Sequence, residues 1–267
     1  MTTVTSTGRV VGAWHGAALR VEGYWMWYRR YWRSNLYSTG LQPLFFLAAM
    51  GLGFGSQVQP GEATGGLSYL HYVAPALLVS ASMMLAVGES TYPVLSGFKW
   101  QKDYLAVTAT PISPGQVLGG HLMWVTLRLT LAGVVYALMA LLLGAWLNAG
   151  ALLVVVVGVA TGLACSAPVS AFAASTYDET RFATLFRFVV MPMTLFAGTF
   201  FPIEQIPLAL RWLAWISPLW HGTELARGVT LGTLDLLPGL GHAAFLIVLF
   251  GAGFAAARHY FYKRLVV

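Results

Sequence analysis

Six apolar runs constrain this chain more than any other feature: residues 38–56, 69–90, 118–142, 147–170, 184–201 and 240–257. A helix needs about 20 apolar residues to cross the hydrocarbon of a bilayer. Soluble domains carry about 25% charged residues, whereas this chain of 267 residues has 9%. The expectation is an all-α membrane protein of about six transmembrane helices, with no length left for a separate soluble domain. The first run lies behind five arginines and an aromatic segment, too late and too decorated for a cleavable signal peptide. Cys165 is the only cysteine and sits in an apolar run, so a disulfide framework and a thiolate metal cage are both excluded.

Charge reports topology here. Outside the runs, Arg9, Arg20, Arg29, Arg30 and Arg33 precede the first, and Lys99 and Lys102 follow the second. Arg181 follows the fourth, with Arg187 just inside the fifth, and Arg258, Lys263 and Arg264 close the chain. The opposite side holds only Arg211 and Arg227, against Glu62, Glu204, Glu224 and Asp235. The positive-inside rule then puts both termini in the cytoplasm, as an even number of spans requires. The net charge of +6 is therefore read as orientation and not as a nucleic-acid surface. Small residues at helix-contact spacing, Gly158 and Gly162 among them, are read as packing positions.

Residues 1–37 form a cytoplasmic amino-terminal segment, and 38–267 the six-helix domain. At 100° per residue Tyr24, Trp25, Trp27, Tyr28, Tyr31 and Trp32 share one side of a helix, with Arg29, Arg30 and Arg33 on the other. That arrangement predicts a helix lying in the membrane interface. A soluble nucleic-acid-binding arm would have no need of every aromatic on one side.

Two loops carry the remaining information. After the fifth run comes FAGTFFPIEQIPLALRWLAWISPLWHGTELAR, residues 196–227. Pro207 and Pro218 bracket a piece too short to span, with Arg211 in its middle and Trp212, Trp215 and Trp220 nearby. The simplest reading is a re-entrant helical dip within an external segment 202–239. The alternative is a surface loop with an amphipathic helix lying flat. The second loop is 91–117, where Pro93 ends the second span and Pro111 and Pro114 restart a helix into the third. Between them, residues 98–107 can form one short helix that sets Lys99, Lys102 and Asp103 among Phe98, Trp100 and Tyr104. These aromatics either belong to a partner surface or sit at the lipid interface.

Ionisable residues inside a span are functional hypotheses by default, because burying them is costly. Glu89 and Arg128 are the candidates, read as a structural clamp or as a substrate site. His121, on the same span as Arg128, either joins them or is a hydrogen-bonded packing residue. Asp178, Glu179 and Arg181 read as a solvated turn or as a contact with a partner subunit, and Glu224 and Arg227 have the i,i+3 spacing of a local ion pair.

The order of these features resembles the permeases of ABC type-2 exporters. There a small-residue turn and an FFP…P segment precede an SP dipeptide and an E-x-x-R pair, here Gly198, Phe200, Phe201, Pro202, Pro207, Ser217, Pro218, Glu224 and Arg227. The likeness runs from about Arg20 onward and extends to Thr110–Ser113 before the third span. It is closest to permeases exporting amphipathic drugs, glycolipids or lipid-linked saccharides, including nodulation-factor exporters. It implies that Trp25, Tyr28, Arg29, Arg30, Trp32 and Arg33 belong to an elbow helix. Phe98, Lys99, Trp100, Lys102, Asp103 and Tyr104 would carry a coupling helix for an ATPase subunit. Phe200, Phe201, Pro202, Glu204, Pro207, Pro218, Glu224 and Arg227 would line an external gate. It further implies a second permease copy, the chain itself or a paralogue, in a bacterial inner membrane.

No phosphate-binding G-x-x-x-x-G-K-[ST] run accompanies Lys99, Lys102 or Lys263. ATP and magnesium would therefore be held by the partner ATPase, with no cofactor and no metal in this chain. G-x-S-x-G and H-E-x-x-H are absent, and the six histidines show no metal-ligand spacing on one helix. An intramembrane enzyme is the remote alternative. A channel or secondary transporter, which more often repeats a polar set in two halves, is the nearer one.

Overall fold

In a computed structural model of the chain, residues 12–33, 42–58, 61 and 66–266 are described. Arg9, Glu62 and the beginning of the first expected span, 38–41, lie outside them. Every regular element among the described residues is helical.

Among the described residues, four helices are long and apolar enough to cross a membrane. They are α3 (Tyr69–Ser90), which runs on through α4 (Tyr92–Lys99), then α6 (Pro114–Leu142), α7 (Ala151–Ser175) and α12 (Leu236–Leu265). The first expected span is a shorter helix, α2 (Gln42–Leu47), continued by a π-turn over Ala48–Gly53 and a 3-10 turn over Phe54–Gln57. The fifth has the same character: α8 (Thr180–Leu185), a π-turn over Phe186–Val190 and α9 (Met191–Phe196). It ends at Phe196, not at residue 201, because Gly198 takes a left-handed φ of 74° and turns the chain out of the helix. Pro192 explains the π-turn before it. Its missing N–H and its ring disrupt the ladder one turn back, and the wider turn absorbs the mismatch.

α7 is the hub, packed on α3, α6, α12 and the short helix α11 (Pro218–Leu231). Its sequence is rich in Gly, Ala, Ser and Thr, which lets neighbouring backbones come close where lipid supplies no hydrophobic drive between helices. Ser90 and Ser166 share a hydrogen bond of 2.6 Å in the α3–α7 seam. The apolar side chains left outward, among them Leu138, Leu142, Leu152, Val156, Leu237, Ile247 and Val248, would be a liability in water and are ordinary against lipid.

The helices sort the charge to two ends. Lys99, Lys102, Arg181, Arg258, Lys263 and Arg264 lie at one, with the beginnings of α1 (Ala13–Arg30) and α6 and the end of α12. Near that end the Gln116 side chain donates to Gly12 O, and Gly115 lies against Tyr262. Tyr69 donates to Phe200 O and Asn148 to Thr230 O at the other end, which carries Glu204, Glu224 and Asp235. Between the ends α12 is longer than its apolar run predicted: its last three turns continue past the lipid-facing stretch into a cluster with Phe98, Tyr104 and Phe182.

Candidate functional site

The basic end is organised by the chain between α3 and α6. Pro93 does not end α3. The helix bends at Thr91 (φ −98°, ψ −96°), and Pro93 sits in the first turn of α4, where its missing N–H costs nothing. Nor is 98–107 one helix. α4 stops at Lys99, the chain reverses through Lys102 at φ 54°, and α5 (Asp103–Thr108) begins. A left-handed lysine is strained by about 1 kcal/mol, and tight packing holds it. Tyr104 lies across Gly97, where a β-carbon would meet its ring at 2.6 Å. Phe98 packs edge-on against Tyr104 and Phe261, both centroids 5.0 Å away. Ser113 then caps α6 through a reciprocal pair of hydrogen bonds with Gln116.

Of the six residues expected at this loop, Phe98 and Tyr104 are core, at 6% and 1% exposure. Trp100, half exposed, and Lys102 face outward. Lys99 reaches Glu179 at 2.5 Å, so the turn read as solvated or partner-facing is tied to this loop. That hydrogen bond is the main reason the Glu179 carboxyl sits below its ordinary range. Asp103 accepts from Arg20 at 2.6 Å, which joins the hairpin to α1. Arg264 closes the layer from α12 by donating to Ala174 O and Thr176 O and covering the Phe98 ring at 4.4 Å.

α1 lies along the first half of α6 and in the same direction, Gly16 by Gln116 and Arg20 by Gly120. Its aromatic residues therefore do not form one outward face. Tyr24 stacks on Trp124 (centroids 5.7 Å) and Tyr28 meets the same ring edge-on, while Trp25, Trp27 and Trp32 remain exposed. Arg29, Arg30 and Arg33 are exposed as well. One level further in, Arg128 donates to Glu89 and sits over the Tyr28 ring at 5.4 Å, which connects α3, α6 and α1. His121 does not join that pair. It is buried nearer Arg20 and Tyr24, with ring centroids 6.4 Å apart in the latter case.

At the other end, α10 (Arg211–Trp215) and α11 follow two 3-10 turns, Ile203–Gln205 and Leu208–Leu210. Pro207 precedes the second turn and Pro218 begins α11. Trp212 and Trp215 are half exposed, and Arg211 folds back on the carbonyls of Glu204 and Ile206. Glu224 and Arg227 form the i,i+3 ion pair that their spacing predicts, but its cation is buried. Arg227 also donates to Gly198 O (2.7 Å), Thr199 O (3.0 Å) and Tyr72 O (3.3 Å), with its guanidinium 3.8 Å from the Tyr72 ring centre. Glu224 stands 3.7 Å away, and burial pushes its carboxyl above the ordinary range against the pull of Arg227. Phe200 packs edge-on against Phe46, while Phe201 is partly exposed beside it. Pro202, Glu204, Glu224 and Arg227 border a cavity of about 320 Å³ that also reaches Tyr72, Trp220, Asp235 and His242. His221 and His242, from two helices, meet Nδ1 to Nδ1 at 2.8 Å. Spacing along one helix could not have revealed that pair. Among the described residues no three His, Cys, Asp or Glu side chains gather as metal ligands do.

Residues 23–231 match the family described as ABC-2 type transporter. Curated relatives carry the name Nodulation protein J. The one from Rhizobium leguminosarum bv. trifolii is 26% identical over 234 residues, covering 84% of this chain and 87% of that protein. The one from Rhizobium meliloti (strain 1021) is 26% identical over 226 residues, 81% and 85% of the two. That of Bradyrhizobium diazoefficiens is 28% identical over 214 residues, 77% and 80%. The matched range takes in both the hairpin at the basic end and the turn that Arg227 holds.

Proposed function

Because the chain belongs to the ABC-2 type transporter family, we propose that it is the permease subunit of an ATP-driven exporter. It would sit in a bacterial inner membrane with both termini in the cytoplasm. It would pair with a second permease, itself or a paralogue, and with a separate ATPase that holds ATP and magnesium. The substrate is amphipathic or hydrophobic: a drug, a glycolipid or a lipid-linked saccharide.

One observation carries this reading. The α4–α5 hairpin presents Lys99, Trp100 and Lys102 outward and is braced on α1, the α7–α8 turn and α12 through Arg20–Asp103, Lys99–Glu179 and the Phe98–Tyr104–Phe261 cluster. A loose loop would dissipate a push from a motor subunit. A braced hairpin continuous with α3 hands it to the long helices, and so Lys99, Trp100 and Lys102 form the contact with the ATPase. Phe200, Phe201, Pro202, Glu204, Pro207, Pro218, Glu224 and Arg227 then form the outer gate.

Gentle purification of the tagged protein from its own host tests this. An ATPase should come with it in stoichiometric amount, and the complex should hydrolyse ATP. Joint replacement of Lys99, Trp100 and Lys102 by alanine should abolish that association while leaving membrane insertion intact. Repeated preparations in mild detergent that lack any ATPase would overturn the proposal.

A further inference from the structure

The cavity between the 198–206 turn, α11 and the beginning of α12 has a polarity that gating does not require. Three carboxylates border it, Glu204, Glu224 and Asp235, against one guanidinium. That guanidinium is largely committed: its Nε and Nη2 donate to the carbonyls of Tyr72, Gly198 and Thr199, and Glu224 balances its charge from 3.7 Å. The Glu204 and Asp235 carboxylates are then the uncompensated charges of the cavity. Glu204 and Asp235 are exposed at the rim, and neither makes an ion pair or a side-chain hydrogen bond among the described residues. Asp235 begins α12 without capping it.

The inner wall is different in kind. Tyr72 lines the cavity at 7% exposure, and its buried hydroxyl has no hydrogen-bond partner among the described residues. The Trp220 ring lines it too, with its Nε1 unpartnered. Ile203, Leu231, Leu234 and Pro238 complete an apolar lining. Buried polar groups are rarely left without partners in the absence of a ligand or water. At about 320 Å³ the cavity falls at the lower end of small-ligand sites.

We propose that this cavity binds an organic cation, an ammonium group carried on an apolar body. The ammonium lies against the Glu204 and Asp235 carboxylates at the rim, and the apolar body rests on Trp220, whose ring face attracts positive charge. A bare metal ion is a poorer guest, because among the described residues no three His, Cys, Asp or Glu side chains gather to hold one. The site stands on the cavity itself and does not depend on the exporter reading. Its occupant is either a free cationic amphiphile or the ammonium headgroup of a membrane lipid.

Titration calorimetry of the full-length chain in phosphatidylglycerol nanodiscs, with benzyltrimethylammonium as the probe, tests the site. Saturable binding is expected, at least tenfold weaker in the double variant Glu204→Gln/Asp235→Asn and unchanged in Glu22→Gln. The rim carboxylates carry no hydrogen bonds, so the double variant should unfold at the same temperature as the parent. Benzyl alcohol, a neutral aromatic probe, should not bind saturably. In nanodiscs containing phosphatidylethanolamine, loss of probe binding together with lipid retained in native mass spectra identifies the lipid headgroup as the occupant. Undiminished probe binding there identifies a free cation. Equal binding by benzyl alcohol, equal binding by the double variant, or no binding in either membrane would each overturn the proposal.

Discussion

Two arginines do opposite kinds of work. Arg227 holds carbonyls that the break after α9 leaves without helical partners, its Nη2 donating to both Gly198 O and Thr199 O. Unpaired buried carbonyls cost about 1–3 kcal/mol each. Arg227→Leu should therefore destabilise the protein by roughly 3 kcal/mol or more, read as a lowered unfolding temperature in detergent. Arg227→Lys should recover only part of this, because a point charge cannot reproduce a planar fork over three carbonyls and a ring. Arg128 answers a charge instead. Arg128→Met alone leaves Glu89 buried and unpaired, a loss of about 3–5 kcal/mol, whereas Glu89→Met with Arg128→Met should be close to neutral. Equal unfolding temperatures for the single and double variants would show that an unpaired Glu89 costs nothing at this site. Glu89 and Arg128 were legible in the sequence because a charge inside an apolar run has few alternatives. Arg20–Asp103 and Arg227–Tyr72 were not, since 83 and 155 positions separate the partners and no local period records such a contact.

The same limit operates at the level of elements. Four of the six apolar runs became helices long enough to span, because length against bilayer thickness is a one-dimensional test, whereas the first and fifth are broken by π-turns that no length test registers. The short pieces misread. The 98–107 segment has a helical composition throughout, yet it folds as a hairpin because Gly97 admits the Tyr104 ring and Lys102 accepts a left-handed turn. Only the tertiary contact decides between those outcomes. Gly97→Val should push Tyr104 off α4 and splay the hairpin. The expected result is a protein that still inserts in the membrane but no longer retains an ATPase on purification. Full retention would mean that the hairpin's shape is immaterial to docking. Within the expected re-entrant segment 202–239, α11 is a helix packed against α3, α7 and α12, so this segment is an integral part of the bundle's acidic end.

Across the whole molecule, the two ends differ in sign, and the orientation proposed here follows from that difference alone. A chemical test is available because of an accident of composition. Cys165 is the only cysteine and is buried among α7 side chains, so the parent protein should be silent to a membrane-impermeant maleimide. A single added thiol then reports without background. Gln205 is exposed beside the acidic cavity, and Ala109 is exposed just past the basic hairpin. Gln205→Cys should label on intact cells, while Ala109→Cys should label only after the membrane is opened. Neither side chain makes a hydrogen bond or a core contact, so neither change should disturb the fold. The reverse pattern would turn the molecule over: the braced hairpin would face away from cytoplasmic ATP, and the acidic cavity would open to the cytoplasm. An exporter driven through that hairpin is incompatible with such an orientation, so this one labelling experiment constrains the motor contact and the cavity together.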